Sequence, residues 1–149
     1  MRTRINDAVK AAMKGGDKAR LATLRLVTAA IKDRDLAQAA GAEPVGDAEI
    51  VAVLQKMVKQ RRESIEMYSK GGRQELADAE AAEVAVIEGF LPAQMDEAQL
   101  AAAIDAIVAE TGAASVKDMG RVMALLRERH AGEVDMGKAS GAVKARLSA

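Results

Sequence analysis

Apolar residues recur every three or four positions along most of this chain, which is the spacing of one face of an α-helix. No segment combines sustained apolar–polar alternation with β-branched and aromatic residues, so we expect no strands. The predicted fold class is all-α, with four helices, a hinge and three shorter helices. The predicted helices span about 4–14, 17–39, 47–70, 73–88, 96–111, 115–131 and 135–147.

Pro92 is the best candidate for a domain junction. It follows Gly89, cannot continue a helix, and disfavours helical geometry at Leu91. We therefore expect a four-helix N-terminal domain over residues 1–91 and a three-helix tail domain over residues 92–149.

The charges are sorted into blocks although the net charge is zero. Residues 1–73 hold 15 Lys/Arg against 9 Asp/Glu, residues 74–110 hold 9 acids and no base, and residues 111–149 hold 7 bases against 4 acids. The layout of charge decides which surface can meet a polyanion. Only the two end blocks could do so, and the acidic block must either face solvent or neutralise a basic block by packing against it.

Composition excludes several functional classes. One Tyr, one Phe and no Trp argue against binding of single-stranded nucleic acid by base stacking. Zero Cys removes disulfides, thiolate catalysis and cysteine metal sites together. No apolar run reaches the roughly 18–20 residues of a membrane span, and the first residues do not form a secretory signal. We expect a soluble cytoplasmic protein with no membrane, metal or cofactor.

Arg61 is a charged residue in the middle of the apolar arc of the third predicted helix. Glu80 and Glu83 fall within the apolar arc of the fourth. A charge on an apolar face is costly unless it is paired and hydrogen-bonded. We therefore predict that these helices lie side by side, with Arg61 held by Glu80 or Glu83. A catalytic carboxylate pair, a small-ligand site and simple exposure are the alternatives, and acid–base chemistry would also need a shaped cleft.

Two sets of cations are candidate RNA phosphate contacts. The tail set is favoured because few acids accompany it in that part of the sequence. Its members are Lys117, Arg121, Arg127, Arg129, Lys138, Lys144 and Arg146. The central set is Lys56, Lys59 and Arg62, diluted by Glu63 and Glu66. A solvated helix face with neutralising neighbours is the alternative interpretation of the central set.

His130 is the single histidine, and it offers little chemistry. A metal site would need further His or Cys ligands, and no nucleophile on a strained turn lies near it in sequence. Residues 132–138 put backbone amides and Lys138 near a predicted helix N-terminus, which suits a phosphate. Plain capping of that helix by Asp135 is the simpler interpretation. We predict no catalytic residue.

Several sequence segments together resemble one family. They are KQRRESIEMY in the 56–68 region, GGRQELADAEAAEVAVIEGFLPAQM at 71–95 and SVKDMGRVM at 115–123, followed by a short final helix from Ser140 to Leu147. Their order and separation are similar to those of the GatB/YqeY family, whose small stand-alone members are related to the C-terminal part of the B subunit of tRNA-dependent amidotransferases. The resemblance runs from about Arg4 to Leu147.

The resemblance implies an all-α protein in two parts and a role in gripping tRNA. The part of the amidotransferase subunit that activates the substrate lies outside the resembling region. The leading hypothesis is therefore a non-catalytic tRNA-binding, translation-associated accessory protein. One alternative is a protein–protein interaction adaptor. Another is a component of a glutamine-dependent carbon–nitrogen ligase that needs a catalytic partner.

Overall fold

The computed structural model describes residues 1–148, which form seven α-helices and no strand. The prediction of an all-α fold is confirmed. A single 3₁₀ turn, Val116–Asp118, precedes the sixth helix. The helices are α1 Arg2–Gly15, α2 Lys18–Leu36, α3 Asp47–Lys70, α4 Gln74–Glu88, α5 Glu97–Thr111, α6 Met119–Arg129 and α7 Met136–Ser148.

The second helix ends three residues before its predicted end at Ala39, because Asp35 is used to turn the chain. Its carboxylate accepts two hydrogen bonds from the guanidinium of Arg2, at 2.9 and 3.0 Å. It also accepts the backbone N–H of Val45 at 2.9 Å. These bonds tie the loop after Leu36 back against the start of α1.

The chain divides by its contacts into two compact units, Met1–Leu91 and Pro92–Ala149. In the first unit, α3 packs along α4 and α1 packs along α2. Its core is aliphatic apart from one aromatic ring, Phe90. The most deeply buried large side chains of this unit are Ile5, Leu24, Val27, Ile50, Leu54 and Ile87.

The second unit is built from α5, α6 and α7 around a core of its own. The segment before α5 is fixed to the loop before α7, because Met95 N–H donates to the Glu133 carbonyl at 2.8 Å and Gln94 Nε2 donates to the Gly132 carbonyl at 2.6 Å. Buried residues at the centre of this unit are Ile104, Ile107, Val122, Leu126, Ala139 and Val143.

Helix ends in this fold follow local chemistry. Asp96 and Gln99 form the capping box that begins α5: Gln99 N–H donates to Asp96 Oδ1 at 2.7 Å, and Asp96 N–H donates to Gln99 Oε1 at 3.0 Å. Gly112 ends the same helix in the left-handed conformation, with φ 69°, which L side chains adopt only at a cost. No helix of the described chain is both long and apolar enough to cross a membrane.

Candidate nucleic-acid interface

Most acids of the acidic block, residues 74–110, form ion pairs with arginines. Five of the nine acids in residues 74–110 pair with an arginine. Each unit is also close to neutral by count: residues 1–91 hold 15 Lys/Arg against 14 Asp/Glu, and residues 92–149 hold 7 against 8. Any polyanion surface must therefore come from cations that these pairs leave free, because neither unit carries a strong net charge.

Arg61 packs between α3 and α4 and is paired. Its Nε lies 2.9 Å from Glu83 Oε2, and its Nη1 donates to the Met57 carbonyl at 3.3 Å. The exposed fraction is 15% for the Arg61 side chain and 33% for that of Glu83. Within residues 1–148 Glu80 makes no ion pair with Arg61. The pair joins α3 to α4 at the edge of the core.

Three arginines of the predicted tail set are neutralised inside their own unit. Arg129 makes a two-pronged pair with Glu110, at 2.6 and 2.7 Å. Arg146 Nε donates to Asp105 Oδ1 at 2.7 Å. Few acids accompany this set in the sequence, but the fold supplies them to Arg129 and Arg146, because α5 brings acids of the preceding block against α6 and α7.

Arg121 is the third of these arginines. Its Nη2 donates to the Thr111 carbonyl at 3.2 Å and lies 3.5 Å from Asp118 Oδ1. Asp118 also accepts the backbone N–H groups of Ala114 and Ser115, and these bonds hold the pKa of its carboxyl below the usual range. In the same way Arg129 lowers the pKa of Glu110, mainly through its hydrogen bonds. Both acids therefore stay ionised to a lower pH than an unpaired carboxyl does.

Four cations of the tail set have no partner within the described chain. Their side chains are exposed, and in the described part of the chain none of them makes a hydrogen bond or an ion pair. They are Lys117, Arg127, Lys138 and Lys144. Arg127 and Arg129 lie two residues apart on α6, a helix that carries one free arginine and, with Arg121, two neutralised ones.

The central set is divided in the same way. Arg62 pairs with Glu88 of α4, whereas the side chains of Lys56 and Lys59 are exposed and make no ion pair within residues 1–148. Lys56 also lines an open cleft of about 570 Å³ between α2 and α3. At the rim of this cleft Arg34 lies 2.8 Å from Glu49. The cleft has mixed polar and apolar walls and was not predicted from the sequence.

The segment around His130 has structural roles. His130 Nδ1 lies 3.3 Å from Glu133 Oε2. Asp135 Oδ1 accepts the backbone N–H groups of Gly137 and Lys138, at 2.8 and 3.4 Å. The capping interpretation of Asp135 is therefore confirmed, and its carboxylate occupies the amides that a phosphate would use. Among the described residues no cluster of three or more His, Asp or Glu could hold a metal ion.

One group of free cations was absent from the predicted sets. Lys18, Arg25 and Lys32 lie on α2 at seven-residue intervals, and their side chains are exposed. The spacing was visible in the sequence. It was missed because the net charge was summed over residues 1–73, and acids elsewhere in this block offset the local excess of positive charge on α2.

Comparison with known proteins agrees with the resemblance drawn from the sequence motifs. No curated protein matches the chain. The family described as Yqey-like protein matches over residues 2–147, which is almost the full length. The all-α chain described above therefore belongs to the YqeY-like family.

Proposed function

We propose that this protein is a tRNA-binding, translation-associated accessory protein that contributes binding and no chemistry of its own. The observation that carries the proposal is the set of four exposed tail cations without an internal partner: Lys117, Arg127, Lys138 and Lys144. Family membership supports it, because the motifs resemble the tRNA-gripping part of an amidotransferase subunit.

Free and neutralised cations differ in what they can offer a phosphate. An arginine already bound to a carboxylate must lose that partner, or share it, before it contacts RNA. An exposed lysine without a partner exchanges only water and counterions, and the release of counterions from the RNA drives the binding. The free tail cations therefore dominate RNA affinity in this proposal, and Arg121, Arg129 and Arg146 contribute little.

A folded RNA suits such a surface better than a single strand does. The described chain has one Tyr and one Phe, and the ring of Phe90 is buried. Stacking platforms are thus scarce, whereas helical RNA is recognised largely through phosphates, 2′-hydroxyls and shape. tRNA offers that kind of surface over most of its length.

The test is a fluorescence anisotropy titration with total tRNA over a series of salt concentrations. One variant changes the free cations Arg127, Lys138 and Lys144 to Gln, and its matched control changes Arg121, Arg129 and Arg146 to Gln. Each variant loses three positive charges. Each phosphate contact contributes roughly 0.7–0.9 to the slope of log affinity against log salt.

We expect the free-cation variant to lose about 2–3 from that slope and the paired-cation control to lose less than about 1. Equal losses would show that the distinction between free and neutralised cations is wrong. No binding of tRNA by the unaltered protein at low salt would contradict the proposed function itself.

A further inference from the structure

Helix α2 presents a straight row of three cations, which we call the α2 row: Lys18, Arg25 and Lys32. At 100° per residue, positions seven apart differ by about 20° around the helix, so all three fall within an arc of about 40°. With a rise of 1.5 Å per residue, neighbours lie about 10 Å apart and the row is about 21 Å long.

The α2 row is rigidly mounted and unobstructed. The opposite side of the helix is anchored in the core by Leu24, Val27 and Ile31, which are at most 4% exposed. On the row itself, the positions between the cations are the exposed small residues Ala22 and Ala29. A flat or convex partner can therefore reach all three cations without a larger side chain intervening.

No carboxylate of the described chain forms an ion pair with the α2 row, although Asp33 follows Lys32 on the same helix. The three side chains of the row make no ion pair or hydrogen bond within residues 1–148. Residues 8–32 hold six Lys/Arg and a single acid, Asp17. That carboxylate caps α2 by accepting the backbone N–H of Arg20 at 3.1 Å. This differs from the second unit, where acids neutralise three of the seven cations.

We propose that the α2 row binds the phosphate backbone of helical RNA. The inference rests on the proposed function and adds a second contact surface, in the unit Met1–Leu91. Charge complementarity favours RNA as the partner, because regularly spaced free cations can contact successive phosphates of an RNA helix. A membrane surface is disfavoured, since a helix that lies in a bilayer interface inserts its apolar face. The main apolar face of α2, formed by Leu24, Val27 and Ile31, is already buried in the core, and among the large apolar side chains of this helix only Leu26 and Leu36 are exposed.

The test uses the full-length protein and an RNA duplex of about 20 base pairs. The row variant carries Lys18→Gln and Arg25→Gln. The matched control carries Lys70→Gln and Arg73→Gln, which removes the same residue types from cations already paired with Glu66 and Glu75. Circular dichroism establishes that both variants are folded, and exposed positions make this the expected result.

We expect the row variant to lose about 1.4–1.8 from the slope of log affinity against log salt, and the control to lose less than half of that. Equivalently, the drop in affinity between 50 and 200 mM salt becomes about tenfold smaller for the row variant. A charge-gain variant, Ala29→Lys, should bind the duplex more tightly than the unaltered protein does.

Three results would overturn the inference. Identical titrations of the row variant and the control would remove the α2 row while leaving the proposed function intact. Binding to anionic phosphatidylserine vesicles that depends on the row, without any effect on RNA, would assign the row to a membrane. If the unaltered protein binds neither the duplex nor tRNA, the proposed function fails together with the row.

Discussion

Replacing Arg61 with Leu tests how the first unit joins α3 to α4. The change removes the 2.9 Å bond to Glu83 and leaves that carboxylate two-thirds buried without a partner. Losing one partner of a buried ion pair costs about 3–5 kcal/mol, and a charge-assisted hydrogen bond contributes about 1.5–3 kcal/mol. Because Glu83 keeps partial access to water, we expect the free energy of unfolding to fall by an amount within the range for a charge-assisted hydrogen bond, about 2 kcal/mol.

The assay is urea and thermal unfolding followed by circular dichroism. If the unit Met1–Leu91 unfolds on its own, a loss of about 2 kcal/mol lowers its midpoint temperature by roughly 8–16 °C. Arg62→Leu is the matched control, because Arg62 pairs with Glu88 of the same neighbouring helix but its side chain is 53% exposed. We expect the control to lose less than about 1 kcal/mol.

A double variant separates the pair from the packing of its members. If Arg61 and Glu83 are both changed to Leu, no charge is left unpaired, and much of the lost stability should return. Equal losses of unfolding free energy in Arg61→Leu and Arg62→Leu would contradict a special role of the buried pair. So would a double variant that loses as much unfolding free energy as the two single variants together.

Three further predictions concern stability. Gly112→Ala should lower the free energy of unfolding by about 1 kcal/mol, because φ is 69° at this residue. Gly141→Ala should raise it by about 0.5–1 kcal/mol, because Gly141 lies within α7 and an added Cβ would contact no other atom. The urea midpoints of the two variants should therefore shift in opposite directions. Hydrogen bonds from Arg2 are the main cause that lowers the pKa of Asp35. The stabilisation from this carboxylate is therefore full above about pH 4 and is lost as the pH falls further. Asp35→Asn should make unfolding free energy depend less on pH in the acid range, and an unchanged dependence would contradict this. We propose that the two units are separate domains, so fragments divided just before Pro92 should each be helical and unfold cooperatively, and a fragment without a cooperative transition would argue against it.

The helices could be predicted because their signals are local. Periodic apolar residues, the Asp96–Gln99 capping box and Gly112 each act within a few residues, so the sequence is enough to locate them. The pairing of Arg61 was also predictable, because a charge at the centre of an apolar arc requires a partner. Its choice between Glu80 and Glu83 depends on the register of two packed helices, which periodicity does not determine.

The candidate interface was harder to predict because charge pairing is a long-range property. Arg129 and Glu110 are 19 positions apart, and Arg146 and Asp105 are 41 positions apart. Counting charges along the chain treats such arginines as free although folding neutralises them. The α2 row shows the opposite error, since block sums concealed free cations that a shorter window would have detected.

The central claim is that RNA binding comes from cations that the fold leaves unpaired, in the tail and on α2. The most direct measurement is the affinity of the unaltered protein for tRNA between 50 and 200 mM salt. If the four free tail cations and the α2 row each contact phosphate, about seven contacts give a log–log slope of about −5 to −6. A slope near zero, or no detectable binding at 50 mM salt, would contradict the account.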